Sequence, residues 1–335
     1  MELFDLIQKL NAAHGPSGDE GDIRDVLIDL IRPYVDEIST DTMGNLIAHK
    51  VGPGPKLMFS AHMDSIGFIV THIEKDGFIR VGSLGGISPK EMLYTPVRFK
   101  NGVRGIIVPE EKADFEKLKL HECYVDIGAK DQHEAEDMVY VGDTLIYDIP
   151  SFINGCKVIS PYLDNRISCA ALILAMTQIK NSPNDLYMVF SCQEEVGLRG
   201  VKTAAWAIAP DYGVVIDVTD VDDTPGTEKC GTAKLGYGAA IKVMDSSVIC
   251  HPYVIGKMEE LARIHAIPVQ KDIMRDGGTD AGAIHTTRLG AWTGGISIPC
   301  RYIHTPTEMV DLRDVENCVT LVSAFAQSEL NFNKN

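Results

Sequence analysis

The residues of this chain that could do chemistry are acids and imidazoles, and each follows a short apolar run. His62 and Asp64 come after Lys56-Leu57-Met58-Phe59-Ser60, and Glu194 and Glu195 come after the run 186–192. Asp217 ends the run from Tyr212, and His304 lies just beyond the run ending at Ile298. Asp164 opens a helical stretch after Ser160-Pro161-Tyr162-Leu163 and can reach the same edge. His62, Asp164, Glu195, Asp217 and His304 together make two imidazoles and three carboxylates. Such a set suits Zn²⁺, Co²⁺ or Mn²⁺ better than a thiolate site would. If one carboxylate bridges, the set can hold two ions about 3.5 Å apart, whereas one ion would leave ligands over. Without metal, three converging carboxylates would raise one another's pKa.

The neighbours Glu194 and Glu195 suggest divided labour. One binds metal, while the other faces away as a general base for a water whose pKa two ions lower to about 7. Asp64, two residues after His62, is placed to orient that imidazole by accepting its second N–H.

These positions require strands that end together. Segments 2–11 and 20–31 carry apolar residues at helical spacing, and 56–60 reads as a buried strand. From 67 to 156 short alternating runs are cut by Gly, Pro and charged turns, the texture of a small β-rich insert. Afterwards helices at 165–179, 201–208, 253–265 and 312–330 alternate with strands at 186–192, 212–216 and 291–298. The expectation is an α/β fold with a mixed, largely parallel sheet flanked by helices. Segments 1–66 and 157–335 would form the catalytic domain, with 67–156 inserted. Ligands of open α/β sheets collect at the carboxyl ends of strands, where these acids and imidazoles fall.

Six segments carry a resemblance. They are Ala61-His62-Met63-Asp64-Ser65-Ile66-Gly67, Asp164-Asn165-Arg166, Gln193-Glu194-Glu195-Val196-Gly197-Leu198-Arg199-Gly200, Asp217-Val218-Thr219, Gly277-Gly278-Thr279-Asp280-Ala281 and Ile298-Pro299-Cys300-Arg301-Tyr302-Ile303-His304. In order, and across nearly the whole chain, the sequence resembles the glutamyl-aminopeptidase or TET family of dinuclear metallo-aminopeptidases. That likeness implies a zinc-exopeptidase-like catalytic domain with two divalent ions per subunit. His62 and Asp217 would hold one ion, Glu195 and His304 the other, with Asp164 bridging and Glu194 as base. It also implies short peptides with a free N-terminus as substrates, an insert used for dimer formation, and dimers assembled into hollow dodecamers. A cis peptide after Asp164 is a further family trait. Two departures touch the expected pocket wall: Ser65 stands where the family usually carries Glu, and Ser160-Pro161-Tyr162 replaces a Lys-Ala type approach. Rival readings are a related two-metal carboxypeptidase or deacylase, or a non-catalytic peptide binder on the same fold. A glycosidase fits poorly, because adjacent carboxylates pointing apart do not flank one glycosidic bond.

Composition narrows the field. In 335 residues, 31 Lys and Arg face 47 Asp and Glu, a formal charge of −16, which argues against a nucleic-acid binder. No apolar run approaches the roughly 18 residues of a membrane span, and the acidic start does not resemble a secretory signal, so a cytoplasmic protein is expected. Eight cysteines without a C-x-x-C pair, at 123, 156, 169, 192, 230, 250, 300 and 318, read as free buried thiols. His133-Glu134 lacks the second His of H-E-x-x-H, the Gly236 segment breaks G-x-G-x-x-G at Ile241, and no P-loop is present. Gly15-Pro16-Ser17-Gly18 misses the G-x-S-x-G spacing by one residue, so no serine-hydrolase elbow is expected. The segment His14-Gly15-Pro16-Ser17-Gly18 resembles a family segment near the active-site approach but reads better as a helix-ending turn. The Gly277-Gly278-Thr279-Asp280 loop reads equally as a pocket border or as a helix entry turn.

Overall fold

A computed structural model describes residues 2–227 and 232–331. Helices α1 (Leu3–Ala12) and α2 (Gly21–Ile31) bury Leu6, Leu10, Ile23, Leu27 and Ile31 at the four-residue spacing of an amphipathic helix. Strands β1 (Glu37–Thr40), β2 (Leu46–Lys50) and β3 (Lys56–His62) follow. Next come β4 (Gly67–Ile73), β5 (Ile79–Leu84), β6 (Pro96–Phe99), β7 (Arg104–Pro109), β8 (Cys123–Asp126), the short helix α3 (Gln132–Glu136) and β9 (Thr144–Tyr147). The chain continues through β10 (Phe152–Asn154), β11 (Lys157–Ser160), α4 (Leu163–Gln178), β12 (Asp185–Ser191), α5 (Arg199–Ile208) and β13 (Tyr212–Asp220). It finishes with β14 (Ala239–Met244), α6 (Pro252–Ile264), β15 (Val269–Ile273), α7 (Ala281–Ile284), β16 (Trp292–Arg301), β17 (Glu308–Asp311) and α8 (Leu312–Ala326).

Among the described residues, 11 strands make one mixed sheet in the order β1-β2-β12-β3-β13-β16-β17-β11-β10, with β14 and β15 joining beside β16. Its centre, β12-β3-β13-β16, is parallel, and the strands on either side are antiparallel. The parallel strands are apolar almost throughout because helices cover both faces. Alternation along β3 assigns the faces. Leu57, Phe59 and Ala61 join the core shared with α1, α4, α6 and α8, whereas Met58 joins the core under α5 and α7. By the same period of two, Ser60 and His62 fall on the α5/α7 side.

Strands β4-β5-β8-β7-β6-β9 close a barrel with its own core of Phe68, Val70, Ile79, Val97, Ile107, Val125 and Leu145. The last strand of the 67–156 stretch, β10, pairs with β11 at the edge of the large sheet instead. The barrel is tied to the large sheet at residues 14–17 and 65. A bridge joins Pro16 to Ser65, the Ser65 amide donates to the Gly15 carbonyl at 3.1 Å, and His14 Nε2 lies 2.7 Å from Thr144 Oγ1.

Free thiols at 123, 169, 192, 250, 300 and 318 are buried as expected, but Cys156 is exposed, and Cys230 lies outside the described residues. Among the described residues, no helix is long and apolar enough to cross a membrane.

Candidate metal centre and active site

The carboxyl ends of the parallel strands converge, and each carries a piece of the site. β3 runs on to His62, which pairs in register with Ser191 at the end of β12. The chain leaving β12 turns sharply, with Gln193 and Leu198 in the left-handed region, and this turn presents Glu194 and Glu195. Gly200 lets α5 start directly against that strand end: a Cβ there would sit 2.4 Å from the Cys192 carbonyl. Asp217 lies inside β13, which continues to Asp220 instead of ending at Asp217. His304 follows β16 on a loop in which Tyr302 and His304 both have positive φ. Asp164 comes from the first turn of α4, where the Asp164–Asn165 peptide is cis, in line with the resemblance.

Five residues expected to bind metal meet here, with Asp164 in the middle. Its Oδ1 lies 3.1 Å from His62 Nε2, and its Oδ2 lies 3.2 Å from His304 Nε2. Asp217 Oδ1 is 3.7 Å from His62 Nε2, and Glu195 Oε2 is 3.1 Å from His304 Nε2. The arrangement is therefore two imidazole–carboxylate pairs that share Asp164. Glu194 stands on the His62 side, its Oε2 3.9 Å from Nε2.

The electrostatics are those of a cluster that needs cations. Burial, with the charges of Asp217, Asp280 and Glu195, pushes the Glu194 carboxyl well above its ordinary range against the pull of His62. Burial likewise raises Asp217, helped by Asp164 and Asp280. Asp164 goes the other way, because hydrogen bonds from both imidazoles outweigh its burial. Burial opposes charging His304, yet Asp164 and Glu195 overcome it and push its pKa up to about 12.

The residues fit divalent metal. Ligand atoms of His62, Asp164 and Glu195 lie within 4.8 Å of one another. Glu195 Oε1 is buried without a hydrogen-bond partner, an acceptor left for a cation. Nitrogen and carboxylate donors are the set that Zn²⁺, Mn²⁺ and Co²⁺ accept. Among the described residues no thiol belongs to this group.

Asp64 does more than the sequence suggested. The nearest acceptor to His62 Nδ1 is the Asp64 carbonyl at 3.1 Å, with the carboxylate at 3.6 Å. That carboxylate instead accepts from the Glu194 amide at 3.0 Å, the Glu195 amide at 3.3 Å and Ser17 Oγ at 2.6 Å. It fixes the turn bearing both glutamates and ties that turn to residues 15–18.

Sequence reasoning missed Glu308, which is buried in β17 and accepts from the Asp164 amide at 2.8 Å and the His304 amide at 2.9 Å. One carboxylate thus holds the backbones of two expected ligands. Asp280 was read only as part of a loop. It stands at the N-cap of α7, but its side chain caps nothing and accepts from Ser60 at 2.7 Å and Ser191 at 2.5 Å, behind His62. Gly85, with φ +89°, brings the segment after β5 against Glu195, where a Cβ would stand 3.2 Å from the Glu195 Cβ. The Gly-Gly pair 85–86 was its only signal.

A cavity of about 480 Å³ opens over these groups, and Gly277, Gly278 and Thr279 line it, so that loop does border the pocket. Ser65 and Ser160-Pro161-Tyr162 do not line it. Ser65 packs on Gly15, and Tyr162 donates to the Tyr147 carbonyl at 3.4 Å, so both departures belong to the barrel junction.

Comparison with known proteins agrees with this geometry. A family model described as M42 glutamyl aminopeptidase matches residues 44–321. The chain is 46% identical over 322 residues to a protein of Acetivibrio thermocellus that carries an aminopeptidase name, covering 96% of this chain and 97% of that one. Its fold superposes on the aminopeptidase APDkam598 of the archaeon Desulfurococcus kamchatkensis with a TM-score of 0.93 at 37% identity, covering 97% of this chain and 94% of the other. The TET1 peptidase of Pyrococcus horikoshii, which can assemble into a tetrahedron or a large octahedral shell, matches with a TM-score of 0.87 at 30% identity, covering 97% and 99%. With the barrel, every strand of the large sheet except β1 and all the expected site residues inside the matched region, the chain belongs to the M42 glutamyl aminopeptidase family.

Proposed function

We propose that this protein is a dinuclear metal-dependent aminopeptidase that removes N-terminal residues from short peptides. The observation that carries the reading is Asp164 between two imidazole–carboxylate pairs, with Glu194 beside them and uncommitted. His62 and Asp217 would hold one ion, Glu195 and His304 the other, and Asp164 would touch both. Divalent ions bound there supply Lewis acidity at the scissile carbonyl and a water that loses its proton readily.

The chain's own residues complete the reaction. Glu194, whose basicity is raised by burial and by the surrounding carboxylates, takes a proton from the attacking water and returns it to the departing amine as the C–N bond breaks. Asp64 holds Glu194 in place through its backbone amide. Acidic groups around the cavity favour a substrate whose free amine is cationic.

The substitution Glu194→Gln is expected to lower kcat/KM by about 10²–10⁴-fold while metal content, measured by atomic absorption, stays near wild type. Loss of metal in that variant would instead make Glu194 a ligand. Free-amine and N-acetylated forms of one peptide separate this reading from a deacylase or carboxypeptidase, because only the free amine should be cleaved. We further infer that segment 67–156 is the dimer-forming insert and that twelve chains assemble. Light scattering that gives the mass of two chains overturns the twelve-chain assembly, and a single-chain mass overturns dimer formation as well. Buried free thiols support a cytoplasmic setting.

A further inference from the structure

The cavity over the metal centre contains more negative charge than the reaction uses. Besides the ligands and Glu194, Asp220 and Asp276 line it, between apolar walls formed by Leu198, Val218, Met274 and Ile303. Among the described residues no Lys or Arg lines it. Asp223, three residues beyond Asp220, is neutralised by Arg301 at 2.6 Å, but among the described residues Asp220 and Asp276 have no such partner. Arg275 borders only a side recess that shares Asp220, Met274 and Asp276, without pairing to either acid.

A side chain entering this space meets apolar surface first and unneutralised carboxylates at the exposed rim. Long cationic side chains match both features, since their methylene stems cover apolar wall while the charged head stays near water. An acidic side chain would bring like charge beside Asp220 and Asp276 and, among the described residues, would find no Lys or Arg to pair with. Resting on the aminopeptidase reading above, we propose that the cavity selects substrates whose N-terminal residue is Lys or Arg, with Asp220 and Asp276 as the specificity-determining residues.

The test uses the full chain loaded with Zn²⁺. Lysyl-, arginyl-, norleucyl- and glutamyl-p-nitroanilide are compared by kcat/KM, norleucine being the lysine stem without its ammonium group. Lysyl and arginyl substrates should exceed norleucyl by about tenfold, the discrimination that two solvent-exposed ion pairs supply, and glutamyl should be slowest. The lysyl-to-norleucyl ratio should fall toward one in Asp220→Asn combined with Asp276→Asn, and at about 0.5 M salt. In parallel, calorimetry with L-lysinamide and L-norleucinamide measures the same preference without turnover. Norleucyl or glutamyl substrates matching lysyl, an unchanged ratio in the double variant, or equal binding of the two amides would overturn the proposal. If no anilide is cleaved while lysinamide still binds about tenfold more tightly, the aminopeptidase reading falls and the cavity assignment stands.

Discussion

Asp164 offers one carboxylate oxygen to each imidazole, so its position sets the spacing of everything around it. Glu308 controls that position from behind, by accepting from the amides of both Asp164 and His304. Burial and the charge of Asp164 raise the Glu308 carboxyl well above its usual range, while the two amide donors pull it down. Glu308→Gln keeps shape but replaces one acceptor oxygen by a donor that faces an N–H. We expect metal affinity to fall about 10–100-fold, as for other losses of support behind metal ligands, with the fold retained by circular dichroism. Unchanged affinity in a chelator titration would reduce Glu308 to a packing residue. The five expected ligands were readable because each follows an apolar run that could only be a buried strand or helix. Glu308 and Asp280 gave no such signal. Their roles lie in backbone amides and hydroxyls brought close by folding, and residue type does not encode those contacts.

At the scale of elements, α4 is the hinge between site and scaffold. Arg166, the residue directly after the Asp164–Asn165 peptide, is completely buried and donates to the carbonyls of Leu10, Ala13 and Gly15 at 2.7, 3.3 and 3.1 Å. It adds a charged donor at Leu10 and Ala13 at the C-terminal end of α1 and at Gly15 just beyond, and so places a cation at the negative end of that helix. Arg166→Met should cost about 3 kcal/mol or more, since buried carbonyls lose charged donors, and the loss is read as a lower denaturant midpoint. Arg166→Lys should recover only part of it, because one ammonium cannot span three carbonyls. Full recovery would mean that charge alone matters here. The elements legible in the sequence were the longer ones with clear apolar patterning: α1, α2, β3, α4, β12, α5, β13, α6, β16 and α8. The expected strand 212–216 extends to Asp220 and 291–298 to Arg301, because those added residues pair only across the sheet. β1, β2, β14, β15 and β17 went unread. They are only four to six residues long and are placed by pairing, β1 on β2, β2 on β12, β15 in parallel on β14, β14 on β16 and β17 on β11 and β16, so periodicity within each is weak.

At the scale of the whole molecule, sheet and barrel meet at His14. The imidazole is buried against Thr144 of the barrel and lies 3.4 Å from Asp19, which also pairs with Lys100. Burial lowers its pKa below the ordinary 6.5, although Asp19 works in the opposite direction. At pH values where both folded and unfolded His14 are neutral the contact costs nothing. As pH falls through 6.5, the unfolded chain takes up a proton that folded His14 resists, so stability decreases with acidification. Melting temperatures from about pH 7.5 down to 5.5 should fall less steeply in His14→Gln than in wild type. Equal slopes would exclude His14 as a source of acid sensitivity.

The residues around Asp164 come from separate stretches of chain, the first at position 62 and the last at Glu308. No early fragment can therefore hold the complete set. A chain still being synthesised can assemble the site around Asp164 only once residue 308 has left the ribosome and β17 has docked. Translation order thus makes completion of this site one of the last steps available to the growing chain.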